Sequence, residues 1–283
     1  MLHSPVLLQQ VIKNLAIKPE ELFIDTTAGE GGHLIEILKA GGRVLGIDID
    51  QNQIKDLNKK FKSYIDSKKL VVGQGNFSDL EKIAKKVNFF PVSGILIDLG
   101  LSYKQISLSG KGFSYKKLNE KLDMRLDNSI EQSAANIVNS YTEDQLYELF
   151  AKYSEDLNSR PIAEGIVRSR AIKKIETVEN LLEVLKRVMN KKDVKTEARI
   201  FQALRIKVNN EMDNLKKALL ESANLLVAGG RLLVISFHSL EDRTVKSFVK
   251  KTNYFEMDQI IKGSRDLSFE RSAKLRVLIK KIV

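Results

Sequence analysis

The chain has 283 residues, 43% hydrophobic and 29% charged, with a formal net charge of +11 and no cysteine. That composition supports a packed core and excludes disulfides and thiolate metal sites. No apolar run approaches the roughly 20 residues that span a bilayer, and the opening MLHSPVLLQQVIKNL lacks the basic stretch and cleavage site of a secretory signal. The expectation is therefore a cytoplasmic protein with no membrane partner. The positive excess favours a polyanion, nucleic acid first, against the plainer reading of a solvated lysine-rich surface.

Along the first hundred residues, strands and helices alternate. LFID (22–25) reads as a buried strand, followed by a glycine turn and the helix HLIEILKAG, which stops at Gly41 and Gly42. RVLGID (43–48) is strand-like. In IKDLNKKFKSYI, Ile54, Leu57, Phe61 and Ile65 recur three and four apart, the mark of an amphipathic helix. KLVVGQG (69–75) is strand-like, SDLEKIAKKV is helical with Ser78 as its N-cap, and VSGILIDLG (92–100) is a fourth apolar strand. This alternation implies right-handed βαβ units and a parallel sheet covered on both faces.

From Gln105 to Arg199 no buried strand is expected. Residues 106–122 are loop-like, and QSAANIVNSY, TEDQLYELFAKY, RPIAEGIVRSRAI and TVENLLEVLKRVM read as helices. One long helix is expected from about Glu197 to Leu226, then a strand in GGRLLVISFHS (229–239). YFEMDQIIK and AKLRVLIKKI form an antiparallel pair. The simplest topology is an α/β, doubly wound, mostly parallel sheet over 1–105 and 200–283, with an all-helical domain inserted at 106–199. Basic residues cluster at Lys104, Lys111, Lys116, Lys117, Lys121 and Arg125, and again in a tail of Arg271, Lys274, Arg276, Lys280 and Lys281.

In an open parallel sheet, ligands bind beyond the carboxyl ends of the strands, where the strand order reverses. The first strand ends at Asp25, and DTTAGEGGH follows, with Gly29, Gly31 and Gly32 permitting tight turning and close approach of a ligand. The run is neither G-x-G-x-x-G nor a P-loop, since the phosphate-gripping lysine is missing. Asp48 ends the second strand about 20 residues on, where an acid accepts hydrogen bonds from ribose hydroxyls. Together these point to an adenosine-containing cofactor, against an ordinary βα turn with a capping acid. Asn76 and Phe77 follow the third strand; Phe77 is either an adenine neighbour or core. Asp98 ends the fourth strand, beside where chemistry is expected.

These pieces resemble the bacterial small-subunit ribosomal RNA cytosine-N4 methyltransferases, the MraW family. The resemblance is carried by HSPVLL (3–8), DTTAGEGGH (25–33), GIDID (46–50), GILIDLGLS (94–102), GFSY (112–115), LDMRLD (122–127), SAANIVN (133–139), ARIFQALRIKVNNE (198–211) and GGRLLVISFHSLEDRTVK (229–246), in order over nearly the whole chain. It implies a Rossmann-like methyltransferase sheet with an antiparallel last strand, S-adenosylmethionine as methyl donor, and the exocyclic N4 of a cytidine in the decoding region of 16S rRNA, within the small ribosomal subunit, as acceptor. It implies cofactor contacts at Gly31, Gly32, His33, Asp48, Phe77, Asp98 and Gln105. The chain departs from the family at Tyr103 and Lys104, where a serine and a proline are usual, and before RSAKLR, where it is shorter.

Cytosine N4 is a weak nucleophile that needs alignment with an already activated methyl and relief of an N–H proton, not covalent attack on the base. The [DNS]-P-P-[YF] turn of many amino-methyltransferases is absent; D-L-G-L-S stands in its place. Asp98 is the first catalytic candidate and His238 the second. Gln202, Arg205 and Asn209 share a flanking face of their helix, with Phe201, Leu204, Val208, Met212 and Leu215 on its buried face. That polar stripe reads either as a base and phosphate contact or as hydrogen bonding between domains. Asp123 and Arg125 read as a pair anchoring the insert, with RNA contact by Arg125 the lesser alternative. Asp242 and Arg243 read as capping and pairing within the following helix, and His3 as a structural turn or part of a cleft entrance. The histidines show no metal spacing, so no metal is expected. A monomer and a homodimer are equally compatible with the sequence. Competing readings are a methyltransferase for DNA or another RNA, an RNA-binding assembly factor without catalysis, and a nicotinamide oxidoreductase. The intact loop argues against the second, and the missing G-x-G-x-x-G against the third.

Overall fold

The computed structural model describes residues 5–264, 266–267 and 270–282, with the backbone alone described at Tyr103, Lys104 and Ser107. His3, and the side chains at the Tyr103–Lys104 departure, lie outside the described residues. The chain forms two compact units: Met1–Gly100 with Met212–Val283, and Leu101–Glu211.

The first unit is built on seven strands: β1 (Leu22–Asp25), β2 (Arg43–Asp48), β3 (Leu70–Gln74), β4 (Val92–Asp98), β5 (Leu226–Ser236), β6 (Phe255–Lys262) and β7 (Lys274–Lys280). Their spatial order is β3-β2-β1-β4-β5-β7-β6. β1 to β5 run parallel, and β7 is antiparallel to both β5 and β6. The order reverses between β1 and β4, so Asp25 and Asp98 end neighbouring strands at the switch point.

The period of two in each strand sends alternate residues to opposite faces. Ile24, Leu45, Ile47, Ile95, Ile97, Leu232 and Val234 pack with Leu80 and Ala84 of α5 (Leu80–Lys86), Leu215 and Leu219 of α12 (Glu211–Leu225) and Val245 of α13 (Ser239–Lys251). Phe23, Val44, Leu96, Leu233 and Ile235 pack on the other face, with Val11 and Leu15 of α1 (Leu8–Leu15), Leu34, Ile37 and Leu38 of α2 (Gly32–Lys39) and Leu57 of α3 (Gln51–Lys60). Burial on both faces is why these strands read as continuous apolar runs.

Local details depart from expectation. The helix expected through Ile65 breaks at Phe61 into α3 and α4 (Lys62–Asp66). Ser78 is not an N-cap: Asn76 caps a 3-10 turn (Phe77–Asp79) by accepting from the Ser78 N–H, and α5 starts after it.

The second unit contains α6 (Tyr103–Leu108), α7 (Ala134–Ser140), α8 (Glu143–Tyr153), α9 (Ser159–Ile172), α10 (Val178–Met189) and α11 (Val194–Asn209). Its core joins Leu122 and Met124 to Ile137, Phe150, Ile162, Leu181 and Leu204. The helix expected from Glu197 to Leu226 is two helices. Asn210 adopts φ 50° and ends α11, a left-handed conformation that asparagine tolerates better than most residues. Phe201, Leu204 and Val208 therefore bury in the helical unit and Leu215 in the sheet unit, not along one continuous face. The compact units divide at 101 and 211, where the sequence reading placed the divisions at 106 and 199.

Candidate active site

The site begins where β1 stops. Thr26 turns the chain by donating N–H and Oγ1 to the carbonyl of Leu96 on β4, at 3.0 and 2.9 Å. Ala28 N–H reaches Ile47 O at 2.8 Å, and Gly31 N–H reaches Ala28 O at 2.7 Å. Thr27 Oγ1 accepts the Asp98 N–H at 3.0 Å, so the loop is stitched to the end of β4. Gly31 sits at φ +82°, and a Cβ there would collide with the Phe61 ring and Leu57. Only glycine allows both the turn and that close packing.

Three carboxylates and one imidazole gather on this edge. Asp25 is 1% exposed; burial pushes its carboxyl up to about 6, against the opposing pull of His33 and the Thr27 N–H, while Asp98 and Asp48 add to the rise. Asp48 is also pushed up by burial, opposed by its hydrogen bonds from Asp50 N–H (2.9 Å) and Gly29 N–H (2.8 Å). Asp48 thus sets the loop's shape, and a carboxylate with these backbone bonds still has acceptor capacity for a ligand. His33, in the first turn of α2, bonds Val6 O through Nε2 at 2.9 Å, while its Nδ1 lies 4.0 Å from Asp98 Oδ2. An edge this rich in carboxylates suits a cationic ligand and repels a phosphate. A sulfonium and an ammonium, as in S-adenosylmethionine, match that donor set.

Phe77 is partly buried against the core that holds Leu80, which satisfies the core reading while leaving part of the ring exposed. Gln105 lies in the helical unit, where it closes a capping box: its Oε1 accepts from Ser102 N–H at 2.8 Å and its own N–H donates to Ser102 Oγ at 3.2 Å. His238 caps α13, with Nδ1 accepting from Glu241 N–H at 3.4 Å, which leaves the proton on Nε2. Glu241 Oε1 stands 3.0 Å from Nε2 without hydrogen-bond geometry, and Nε2 has no hydrogen-bond partner among the described residues.

The polar stripe of α11 is largely engaged within its own unit. Asn209 Nδ2 donates to Met124 O at 2.8 Å and its Oδ1 accepts from Leu126 N–H at 2.8 Å, so it clamps the LDMRLD segment. Arg205 makes a two-pronged ion pair with Glu211, at 2.8 and 3.0 Å. Gln202 reaches Tyr153 O at 3.4 Å. Arg125 grips both oxygens of Asp123, at 2.7 and 2.9 Å, and donates to Ile130 O, forming the anchoring pair expected. Burial raises the Asp123 carboxyl, but the Arg125 hydrogen bonds outweigh it and hold it below the usual range.

The basic tail is less free than its sequence implied. Lys274 and Arg276 both bond Asp242, at 2.6 and 2.7 Å, which also corrects the expectation that Asp242 pairs within its own helix. Lys116, Lys117 and Lys121 are exposed, with no ion pair among the described residues. Asp25, Thr27 and Glu241 were not singled out from sequence. An acid closing an apolar strand was the available signal for Asp25; Thr27 and Glu241 act on backbone N–H groups, which spacing does not reveal.

A doubly wound sheet with a glycine loop, a strand-end acid and a carboxylate edge at its switch point makes a nucleoside site suited to a cationic ligand. The model of the MraW methylase family matches residues 1–283. The chain is 37% identical to the ribosomal RNA small subunit methyltransferase H of Thermosipho melanesiensis, over 97% of this chain and 96% of that one. It is 40% identical to the protein of that name from Clostridium botulinum strain Loch Maree, over 86% and 80%. Among solved structures, a putative rRNA methylase from Clostridium thermocellum shares the fold at a TM-score of 0.50 and 13% identity, covering 99% of each chain. The chain belongs to the MraW methylase family.

Proposed function

We propose that this methyltransferase takes the methyl of S-adenosylmethionine and places it on the exocyclic N4 of a cytidine in the decoding region of 16S rRNA. The observation that carries the donor half is the cluster of Asp25, Asp48, Asp98 and His33 around a glycine loop that lacks a phosphate-gripping lysine. The acceptor half is supported by relatives named for small-subunit ribosomal RNA.

S-adenosylmethionine, when bound, supplies a methyl already activated on sulfur. The residues of this chain bind and orient. Gly31 and Gly32 leave room at the backbone, Asp48 accepts from ribose hydroxyls, Phe77 offers its exposed part to the adenine, and Asp98 with His33 faces the donor's amino group. Gln105 is assigned to the cofactor on the family resemblance alone. On methylation the acceptor amine would give up one N–H proton, and Asp98 is the carboxylate of this chain that would accept it, directly or through water. Asp98 and His238 are the groups of this chain proposed to hold that amine. Lys116, Lys117 and Lys121 supply phosphate contacts, which makes RNA binding sensitive to salt. Gln202, Arg205 and Arg125 are proposed RNA contacts, the two arginines at the edges of their ion pairs; Asn209 acts by holding the segment that carries Arg125.

Labelled methyl transfer to unmodified small ribosomal subunits, with nuclease mapping of the product, tests both halves. Label on N4 of one decoding-region cytidine is expected. Label elsewhere would move the assignment to another nucleic acid, and cofactor binding without transfer would support an assembly factor.

A further inference from the structure

Val6 and Leu7 share one peptide group, and both of its polar ends are engaged by distant side chains. Its carbonyl accepts from His33 Nε2 at 2.9 Å, and its N–H donates to Glu270 Oε1 at 2.8 Å. Val6, Leu7, His33 and Glu270 are all buried, none more than 8% exposed. The bond between Val6 and Leu7 is trans, so the group is planar and stiff, with C=O and N–H on opposite sides. Whatever fixes its N–H therefore also fixes its carbonyl.

α1 does not hold this peptide by itself. It has no side-chain cap hydrogen bond and no acid in its first turn, and its N-cap, Leu7, sits at φ 54°. Leucine rarely adopts that left-handed conformation. The Glu270 carboxylate supplies the anion that a helix N-terminus favours. Glu270 is itself tied down in the connection between β6 and β7. Its N–H donates to Leu267 O at 3.0 Å, its carbonyl accepts from Ala273 N–H at 2.8 Å, and its Oε2 accepts from Ser264 N–H at 3.2 Å.

The carbonyl end leads to the candidate site. His33 Nδ1 lies 4.0 Å from Asp98 Oδ2. Pro5, next to Val6, packs on Gly32, where a Cβ would collide with its ring. Residues 5–7 are thus laid on the Gly32–His33 end of the glycine loop.

We propose that Glu270 is a positioning residue for the cofactor site: by holding the Val6–Leu7 peptide, it fixes the His33 imidazole that faces Asp98. A carboxylate on the N–H also polarises the peptide and makes its carbonyl a stronger acceptor for Nε2. Nε2 stays committed to Val6, and Nδ1 stays turned toward Asp98. The inference rests on the donor site proposed above and adds to it a residue from the far end of the chain.

Nitrogen NMR of the histidine rings in the full chain, together with calorimetric titration of S-adenosylhomocysteine, tests it on the parent, Glu270→Ala and Glu270→Gln. The chain has three histidines, so the ring signals separate readily. Without ligand, the His33 Nε2–H signal is expected to move upfield in Glu270→Ala and to return most of the way in Glu270→Gln, whose amide oxygen still accepts from Leu7. The His238 signals should stay in place. S-adenosylhomocysteine is expected to bind Glu270→Ala about tenfold more weakly than the parent, as for loss of a charge-assisted hydrogen bond, with Glu270→Gln recovering most of that loss.

A His33 signal at its parent position in Glu270→Ala would overturn the proposal even if the variant melted lower, because a merely structural anchor would do only that. Parent affinity in Glu270→Ala would overturn it as well. If Glu270→Ala does not fold, Glu270→Met, which fills the same space without an acceptor, takes its place. A parent that binds no S-adenosylhomocysteine would bring down the cofactor reading and this proposal with it. That outcome is told apart from failure of the anchor by the His33 signal, which needs no ligand.

Discussion

His33 and Asp98 face one another across 4.0 Å while the other ring nitrogen of the histidine is committed to the carbonyl of Val6. A carbonyl only accepts, so Nε2 donates to it, and Nδ1 is the ring nitrogen turned toward the carboxylate. The proposed ligand of this edge is the donor's ammonium. Asp98→Ala is expected to abolish methyl transfer and weaken S-adenosylhomocysteine binding at least tenfold, with the fold retained, because the side chain ends a strand and its backbone bonds remain. Circular dichroism together with the transfer assay checks this; a variant that methylates at the parent rate would remove Asp98 from the mechanism.

Asp25 makes cofactor binding depend on pH. Its folded carboxyl titrates at about 6, above the usual 3.8, because it is buried. A raised folded value means the folded state holds the proton more tightly than the unfolded chain. That contribution is full below 3.8 and is lost as pH rises to about 6, a swing on the order of 3 kcal/mol. Asp25→Asn should therefore gain stability relative to the parent between pH 4 and 6.5, followed by urea melts across that range. A cationic ligand favours the ionised form, so parent affinity should rise with pH through the same window. A flat profile would count against a cation at this edge.

Gly31→Ala tests the loop. The substitution forces a side chain into a left-handed backbone and into Phe61 and Leu57. A destabilisation of about 1–3 kcal/mol is expected, with loss of S-adenosylhomocysteine binding beyond tenfold at temperatures where the variant stays folded. Unchanged affinity would mean that the loop's conformation is not what the ligand reads.

Asp242 is the hinge of the last strand's attachment. Arg276 is 5% exposed, and Asp242→Ala would leave its guanidinium buried without that carboxylate. Removing one partner of such a pair destabilises by about 3 kcal/mol. Burial raises the Asp242 carboxyl, but Arg276 and Lys274 together hold it below the usual range. Its contribution is therefore present above pH 3.8 and lost as pH falls below that value. Denaturant midpoints at pH 7 and pH 3 should converge for parent and variant at the lower pH.

Two variants separate scaffold from RNA contact in the helical unit. Asn209→Ala removes the bonds to Met124 and Leu126 and should cost about 2 kcal/mol of stability. Exchanging Lys116, Lys117 and Lys121 for glutamate should leave melting unchanged and weaken binding to small-subunit RNA at low salt. If the lysine variant binds RNA as the parent does, the phosphate contacts lie elsewhere.

The seven strands and most helices were legible because burial on both faces of a parallel sheet writes long apolar runs, and helix faces write a period near 3.6. The glycine loop, Asp48 and Asp98 were legible because strand ends at a switch point are where such sheets bind ligands. Less visible were features set by single backbone angles or by distant partners. The left-handed turn at Asn210 split one expected helix into two. The burial of Arg276 against Asp242 needed the register of β7, and the clamp by Asn209 needed a loop 83 residues away. The buried carboxamide of Gln53 was not singled out, because nothing in its spacing marks a side chain turned inward.

The position of β7 has a consequence for synthesis. β7 follows β6 in the chain yet sits between β5 and β6 in the sheet. Until residues 274–280 emerge, β5 has an open edge on that side and β6 has no partner strand. Unpaired edges of this kind invite association with other chains. A nascent molecule thus carries an incomplete sheet until residues 274–280 are made and closes it from the inside, and shielding of β5 by a chaperone or by the ribosome's own surface would matter most in that interval.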